Sequence, residues 1–185
     1  FLNPAPGFAG CHPAAAMTGA DATLITRLEA GLARPVLLVT VAPEIAGGMD
    51  LIRTLHGQGK LVSIGHSAVT FNQVSEAVAA GARLSTHLGN GLAQNMHKLD
   101  NPIFAQLAED GLAASFIADG IHIHPKALKS LLRAKGIARS ILVTDAVTGA
   151  AAPPGRYSFA GMAIERREDG SVRKVDGGGL AGAAL

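Results

Sequence analysis

The sequence predicts an α/β fold in which parallel strands alternate with crossover helices. Short apolar, β-branched runs recur between residues 36 and 143. Stretches with apolar residues at three- and four-residue spacing separate these runs, and this is the period of an amphipathic helix. Four successive runs are followed within a few residues by an ionisable or metal-binding side chain. Because a (β/α) barrel presents its site residues at the carboxyl ends of its strands, this placement favours an incomplete (β/α)8 TIM barrel.

Five strands are predicted along the chain, at residues 36–41, 61–64, 82–86, 112–117 and 140–143. We expect one partial TIM-barrel catalytic domain over 1–185. Residues 1–35 are expected to form a loop and helix bordering the pocket, and residues 36–150 the βα units that carry the site. Residues 151–185 are expected to form a β-hairpin and a glycine-rich loop. A complete barrel typically takes about 250 residues. We therefore expect N-terminal units to lie outside the 185 residues of this sequence.

The predicted helices begin at local capping signals. Thr70 precedes a helical pattern over 72–80. Asn101 and His124 each stand directly before a proline, which is favoured at the first position of a helix. Each of these helices follows directly on a segment that carries a candidate site residue.

The chain changes character after residue 146. Asp169 and Gly170 lie between two runs of alternating polarity, which indicates a hairpin and predicts a small antiparallel β excursion from the barrel. Residues Gly177 to Gly182 match the Gly-x-Gly-x-x-Gly pattern of dinucleotide-binding loops, but without the strand, turn and helix that the pattern requires. We interpret this segment as a close-packed loop before a terminal helix.

The composition excludes several classes of protein. With 48% hydrophobic and 16% charged residues, the chain can bury a sizeable core. Its net charge of +2 comes without a basic stripe, so no nucleic-acid partner is expected. No apolar run approaches the roughly 18 residues of a membrane span, so no membrane association is expected either. Cys11 is the single cysteine, which excludes an internal disulfide and favours a cytoplasmic location.

Two histidines, His66 and His87, stand 21 residues apart, each just after an apolar run. Neutral imidazole is a common ligand of zinc and similar divalent ions. A single histidine is more often a hydrogen-bonded group of the core or surface. Two histidines at matching places in consecutive strand-helix units favour a shared ion, because barrel geometry brings those positions together.

Two further side chains fit the chemistry of hydrolysis. Asp145 follows the fifth strand and fits a general base beside an activated water, although a turn or helix-capping aspartate is the alternative interpretation. His122 fits a group that orients the substrate or polarises its carbonyl. His124 competes for either role but is better explained as a helix cap, because it precedes Pro125.

A set of motifs then points to a family. In chain order they are Phe1-Leu2-Asn3-Pro4, Gly10-Cys11-His12, Gly65-His66-Ser67, Thr86-His87-Leu88 followed by Asn90, Asp119-Gly120-Ile121-His122 and Thr144-Asp145-Ala146. Together they resemble the N-acetylglucosamine-6-phosphate deacetylases of the amidohydrolase superfamily. The resemblance runs in the same order across most of the chain, as expected for a fragment that lacks the N-terminal part.

The resemblance implies a role for each candidate residue. His66 and His87 would be metal ligands, Asp145 the catalytic acid/base and His122 a contact to the amide end of the substrate. His12 and Asn90 would contact the sugar or its phosphate. In the family, a glutamate just upstream of the segment that matches Phe1 is a further metal ligand.

The resemblance also implies a cofactor, a substrate and an assembly. It implies a divalent ion, zinc first and iron or another transition metal otherwise, together with an amino sugar phosphate as substrate and a cytoplasmic homodimer. Family members carry an arginine that helps to hold the phosphate, whereas this chain has His97 and Lys98 in that region. Either residue takes over the cationic task, or both lie in a solvated loop.

The expected reaction is metal-dependent hydrolysis of the N-acetyl amide of N-acetylglucosamine 6-phosphate, giving glucosamine 6-phosphate and acetate. One alternative is an amidohydrolase that acts on a different acylated amine or a cyclic amide. The other is a catalytically inactive barrel that only binds sugar phosphate.

Overall fold

The computed structural model describes residues 1–176 and 178–185. Its main element is a parallel sheet of five strands, each hydrogen-bonded to the next along the chain. The strands are β1 (Leu38–Val41), β2 (Leu61–Ile64), β3 (Ala82–Ser85), β4 (Ala113–Ile117) and β5 (Ser140–Val143). This confirms the α/β class and the parallel order. The sheet is open at β1 and β5, so the described residues do not form a complete barrel.

Five helices accompany the sheet in the described residues: α1 (Ala22–Glu29), α2 (Gly48–Gly57), α3 (Phe71–Ala80), α4 (Pro102–Ala108) and α5 (Pro125–Lys135). Thr70 forms a capping box with Gln73 at the start of α3. Asn101 caps α4, and the Nδ1 atom of His124 accepts a hydrogen bond from the backbone N–H of Lys126 at the start of α5. The three predicted helix starts are therefore confirmed, and His124 is a helix cap.

The core lies between the sheet and its helices. One cluster joins β1, β2 and β3 to α1, α2 and α3, with Val41, Ile52, Leu55, Val62 and Ile64 almost fully buried. A second cluster joins β4 to α5 around Phe116. Burial of these apolar side chains fixes the helices against the sheet, and the ends of the strands are thereby held in place.

Three short strands form a separate antiparallel sheet: β6 (Gly155–Phe159), β7 (Met162–Arg166) and β8 (Val172–Lys174). Strands β7 and β8 are the predicted hairpin, and the Asp169 carboxylate accepts a hydrogen bond from the N–H of Ser171 in the turn. The antiparallel excursion is confirmed.

The helix predicted to follow the glycine-rich loop is absent from residues 183–185. Leu180 bridges to Arg173 of β8, and Ala183 bridges to Ala146 beyond β5. Extended pairing with two neighbouring segments uses the backbone groups that a helix would need. Gly177, the first residue of the glycine-rich pattern, lies outside the described residues.

Within the described part of the chain, no helix is both long and apolar enough to cross a membrane.

Candidate active site

A cavity of about 630 Å³ opens at the carboxyl ends of the parallel strands. It lies beside β8 and the glycine-rich segment as well, so both sheets contribute walls. All six candidate site residues from the sequence line it: His12, His66, His87, Asn90, His122 and Asp145. Residues that lie up to 133 positions apart in the chain are therefore brought to one cavity.

His66 and His87 stand directly opposite each other in this cavity. Each lies two residues beyond the end of its strand, and β2 and β3 are neighbours in the sheet. The two Nε2 atoms are 3.1 Å apart, and the rings meet edge to face. Two nitrogens that bind one tetrahedral zinc ion at about 2.0–2.1 Å would be roughly 3.3–3.4 Å apart. The separation of the pair is therefore within about 0.3 Å of the spacing of two ligands of one ion.

The second nitrogen of His66 is held by the backbone. Nδ1 donates a hydrogen bond to the carbonyl of Phe8 over 2.7 Å, which leaves the Nε2 lone pair free to bind a cation. Two glycines permit this close approach, because a Cβ on Gly10 or Gly91 would lie 2.8 or 2.6 Å from ring atoms of His66. The two loops that contact His66, one N-terminal and one after β3, therefore each need a glycine at the point of contact.

His87 is fixed through its backbone. Its N–H donates to the Ser115 hydroxyl, which in turn donates to the carbonyl of Ser85. Its Nδ1 atom is buried and has no hydrogen-bond partner among the described residues. A buried nitrogen without a partner is costly.

Burial also keeps these imidazoles neutral. Desolvation lowers the pKa of His66 to about 4, and repulsion between the protonated forms of His66 and His87 adds to the effect. Desolvation lowers the pKa of His87 as well. Neutral imidazole is the form that binds a metal ion, so both side chains are in the ligand form at neutral pH.

Three candidate residues have a left-handed backbone. The φ angles are 51° at His66, 30° at His87 and 52° at Asp145. Each such conformation in a residue other than glycine costs of order 1–3 kcal/mol and persists only where the surroundings hold it. The strain lies at the ends of three strands that face the cavity, which is typical of a functional site.

Asp145 brings a carboxylate to the same cavity. The residue is solvent exposed, but partial burial of its carboxyl raises its pKa above the usual range. Three nearby imidazoles oppose that rise, those of His122, His66 and His12. The backbone carbonyl of Asp145 accepts a hydrogen bond from Ala183, so the glycine-rich segment supports its position.

His122 is oriented by Asp119, a residue to which the sequence analysis gave no role. The Nδ1 atom of His122 donates to the Asp119 carboxylate over 2.6 Å, and both side chains are more than nine-tenths buried. Burial acts to raise the pKa of Asp119, but hydrogen bonds from His122 and Ile121 outweigh it and hold the pKa below its usual value. Nε2 of His122 is left as the nitrogen available to a substrate.

His12 and Asn90 support the histidine pair from either side. The His12 ring packs edge to face against His66, with centroids 4.8 Å apart. The side-chain amide of Asn90 donates to the carbonyl of His87 over 3.1 Å. Asn90 therefore stabilises the His87 loop in addition to lining the cavity.

The positive charge in the cavity comes from β8. Arg173 and Lys174 line the cavity, whereas His97 and Lys98 are not among its described lining residues. His97 instead accepts hydrogen bonds from the N–H groups of Leu99 and Asp100 in its own loop. Nothing in the sequence indicated that Arg173 and Lys174 line the cavity, because they lie in an ordinary hairpin strand.

A full set of protein ligands for a metal does not come together in the described residues. No three of their His, Cys, Asp or Glu side chains are grouped closely enough to bind one ion. The chemistry of the pair nevertheless fits a cation, because two neutral imidazoles point their Nε2 atoms at each other and one of them has an unpartnered Nδ1. The described residues therefore supply two nitrogen ligands of a site that needs more.

Comparison with known proteins confirms the resemblance seen in the motifs. No family model matches the chain. It is 34% identical over 177 residues to N-acetylglucosamine-6-phosphate deacetylase of Lysinibacillus sphaericus, covering 96% of this chain and 45% of that protein. It is also 34% identical over 176 residues to N-acetylgalactosamine-6-phosphate deacetylase of Escherichia coli O157:H7, covering 95% and 46%. The chain thus spans about half the length of the curated relatives it matches.

Solved structures give the same result. The N-acetyl-D-glucosamine-6-phosphate deacetylase of Mycobacterium smegmatis superposes with a TM-score of 0.90 and 26% identity. The match covers 100% of this chain and 48% of that one. A D267A mutant of that enzyme, in complex with N-acetyl-D-glucosamine-6-phosphate, superposes equally well. The Thermotoga maritima enzyme matches with a TM-score of 0.83.

Proposed function

We propose that this chain carries part of the active site of a metal-dependent deacetylase, and that its parallel strands belong to a (β/α)8 barrel. The substrate is N-acetylglucosamine 6-phosphate, and the products are glucosamine 6-phosphate and acetate. The observation that carries the proposal is the pair of Nε2 atoms of His66 and His87 at 3.1 Å, in the cavity that also holds Asp145. The relatives named above support the choice of substrate.

His66 and His87 hold a divalent cation, for which zinc is the first choice. When bound, such an ion supplies Lewis acidity toward water and toward the amide carbonyl. The described residues give it two imidazoles, so further ligands come from elsewhere in the whole protein or from solvent.

Asp145 moves the proton. Its carboxylate takes a proton from the attacking water as the C–O bond forms, and the resulting carboxylic acid gives that proton to the amine nitrogen as the C–N bond breaks. A raised pKa suits this second step, because a carboxyl that holds its proton more tightly remains protonated until the nitrogen takes it. The carboxylate is regenerated in each cycle.

His122 stabilises the carbonyl side of the reaction. Asp119 accepts from Nδ1 and stabilises the imidazolium form of His122, in which the Nε2–H group donates to the oxygen on which negative charge develops. A single preorganised donor of this kind contributes roughly 3 to 4 kcal/mol to transition-state stabilisation.

The phosphate is held by the basic residues of β8. Lys174 lies close enough to His12 and Cys11 for its charge to act on both groups. Its side-chain stem runs beneath Gly178, where a Cβ would lie 2.8 Å from Lys174. The glycine there leaves room for the stem of Lys174, which takes the cationic role that the sequence analysis considered for His97 or Lys98.

A second candidate substrate is the C4 epimer, N-acetylgalactosamine 6-phosphate. One relative at the same 34% identity is named for that activity. Acetate release by the zinc-loaded protein that carries this chain, measured with both phosphorylated sugars and with N-acetylglucosamine, decides between them. Acetate release from N-acetylglucosamine 6-phosphate alone supports the main proposal. Zinc binding without acetate release from any of the three sugars supports the inactive sugar-phosphate binder.

The homodimer stays a prediction, which sedimentation velocity tests.

A further inference from the structure

Glu44 lies three residues beyond the end of β1, and all of its hydrogen bonds lead toward His66. Its Oε1 atom accepts from the side-chain amide of Asn3 over 2.8 Å and from the backbone N–H of Ala68 over 2.6 Å. Its Oε2 atom accepts from the hydroxyl of Ser67 over 2.6 Å. Both oxygens are therefore engaged with residues that flank or contact the His66 loop.

These bonds close around the backbone of His66. The N–H of Asn3 donates to the carbonyl of His66 over 3.0 Å, so Asn3 connects Glu44 to the histidine itself. On the other side, Ser67 is fully buried and its hydroxyl oxygen accepts from the N–H of Val69. The segment from His66 to Ala68 is held at its first carbonyl, its middle side chain and its last N–H.

Such a clamp explains how His66 keeps its strained backbone. With φ at 51°, the residue would relax to an extended or right-handed conformation if its neighbours were free to move. Relaxation would swing the ring away from His87, because the Cβ direction follows φ. The three bonds to Glu44 resist that movement.

Glu44 also orders the segment that holds the ring. The side-chain oxygen of Asn3 accepts from the N–H of Ala5, and the same segment continues to Phe8, whose carbonyl accepts from Nδ1 of His66. The carboxylate of Glu44 is thus connected to the backbone of His66 through Asn3, Ser67 and Ala68, and to its ring through the N-terminal segment.

We propose that Glu44 is a positioning residue, which holds the backbone and the Nδ1–H tautomer of His66 so that Nε2 points at the cation site. The proposal deepens the proposed function and rests on it only for the presence of the metal. Sequence reasoning gave no role to Glu44, since its partners lie 23 to 41 positions away.

Glu44→Ala in the protein that carries this chain is the main test, and Glu29→Ala is its matched control. Glu29 accepts from the N–H of Val36 and pairs with Lys60, so it is also a structural carboxylate, but it does not line the cavity. Two quantities are measured: the zinc dissociation constant by competition with a chelator, and the His66 tautomer in the metal-free protein by imidazole ¹⁵N NMR.

Glu44→Ala is expected to weaken zinc binding about 10- to 100-fold, as is usual for the loss of a group that orients a metal ligand. Glu44→Ala is also expected to give a mixture of the two neutral tautomers of His66. Glu44→Gln restores most of the affinity, because its remaining oxygen still accepts from Asn3 and Ala68. Glu29→Ala lowers the melting temperature but changes neither the zinc affinity nor the tautomer.

The proposal is overturned if folded Glu44→Ala keeps the wild-type zinc affinity and a single tautomer, or if Glu29→Ala weakens zinc as much. If Glu44→Ala does not fold, Ser67→Ala removes one bond to Glu44, and unchanged zinc affinity in that variant overturns the proposal as well. A wild-type protein that binds zinc but releases no acetate refutes the proposed function alone. If the wild type binds no zinc, the tautomer measurement still decides the role of Glu44.

Discussion

The Nε2 atoms of His66 and His87 face each other at 3.1 Å although both imidazoles are buried and held neutral. In a metal-free protein, one of the two must carry its proton on Nε2 to make this contact a hydrogen bond. Because Nδ1 of His66 donates to Phe8, that proton belongs to His87. This tautomer leaves Nδ1 of His87 as an unpartnered acceptor. A cation between the rings lets both lone pairs bind it and returns a proton to Nδ1 of His87.

Replacing Asp145 by asparagine is predicted to abolish turnover and preserve metal binding. The amide keeps the shape of the side chain but cannot take the proton of water, and general acid/base catalysis contributes about 10² to 10⁴ in rate. We expect kcat to fall at least a hundredfold while zinc content, measured by mass spectrometry, stays at the wild-type level. Activity within tenfold of the wild type would remove Asp145 from its role.

Asp119→Asn is predicted to lower kcat about 10- to 100-fold with little change in KM. The amide still accepts from Nδ1 of His122, but it provides no negative charge to hold the imidazole in one orientation. The loss is smaller than the 10² to 10³ expected for removing an oxyanion donor altogether. Steady-state kinetics of Asp119→Asn and His122→Ala check that kcat falls less in the first variant than in the second. A rise in KM as large as the fall in kcat would argue that the pair is merely structural.

Lys174→Met is predicted to raise KM for the 6-phosphate substrate about tenfold, as expected for one lost charged hydrogen bond. The unphosphorylated sugar should be turned over by the variant as slowly as by the wild type. Lys129→Met, at a lysine that does not line this cavity, serves as the control. An identical rise in KM for both sugars in Lys174→Met would show that Lys174 does not bind the phosphate.

The metal-free protein is predicted to lose stability as the pH falls from about 6.5 to about 4. The folded state lowers the pKa of His66 to about 4, so the unfolded chain binds its proton first over this range. The free energy of unfolding that neutral His66 contributes is fully present above the pKa of histidine in the unfolded chain. It is lost on acidification, by about 3 kcal/mol at most. Urea unfolding of the wild type and of His66→Gln across this pH range checks the prediction. The same dependence of the free energy of unfolding on pH in both proteins would contradict it.

The parts of the fold that the sequence predicted are those determined by local patterns. The strands at 61–64 and 140–143 have the predicted bounds because each is a short, mostly apolar, β-branched run. Thr70, Asn101 and His124 cap helices through neighbours two or three residues away. The histidine pair was reachable because parallel strands end at the same edge of a sheet. These inferences need only the residues around each element.

The parts that were missed depend on contacts distant in the chain. Glu44 acts on residues 23 to 41 positions away, and Lys174 reaches the cavity only because β8 packs near the strand ends. A terminal helix was expected to follow the glycine-rich loop, but φ is +75° at Gly182 and the N–H of Ala183 donates to the backbone carbonyl of Asp145. Tertiary pairing thus overrode the local pattern.

The central claim is that His66 and His87 bind one cation, and anomalous diffraction at the zinc edge tests it most directly. Crystals of the zinc-loaded protein that carries this chain should show a peak about 2.0–2.1 Å from the Nε2 atoms of both histidines. The peak should vanish in His87→Ala crystals grown in the same way. A fully occupied zinc peak elsewhere, or no peak between the two rings, would contradict the account.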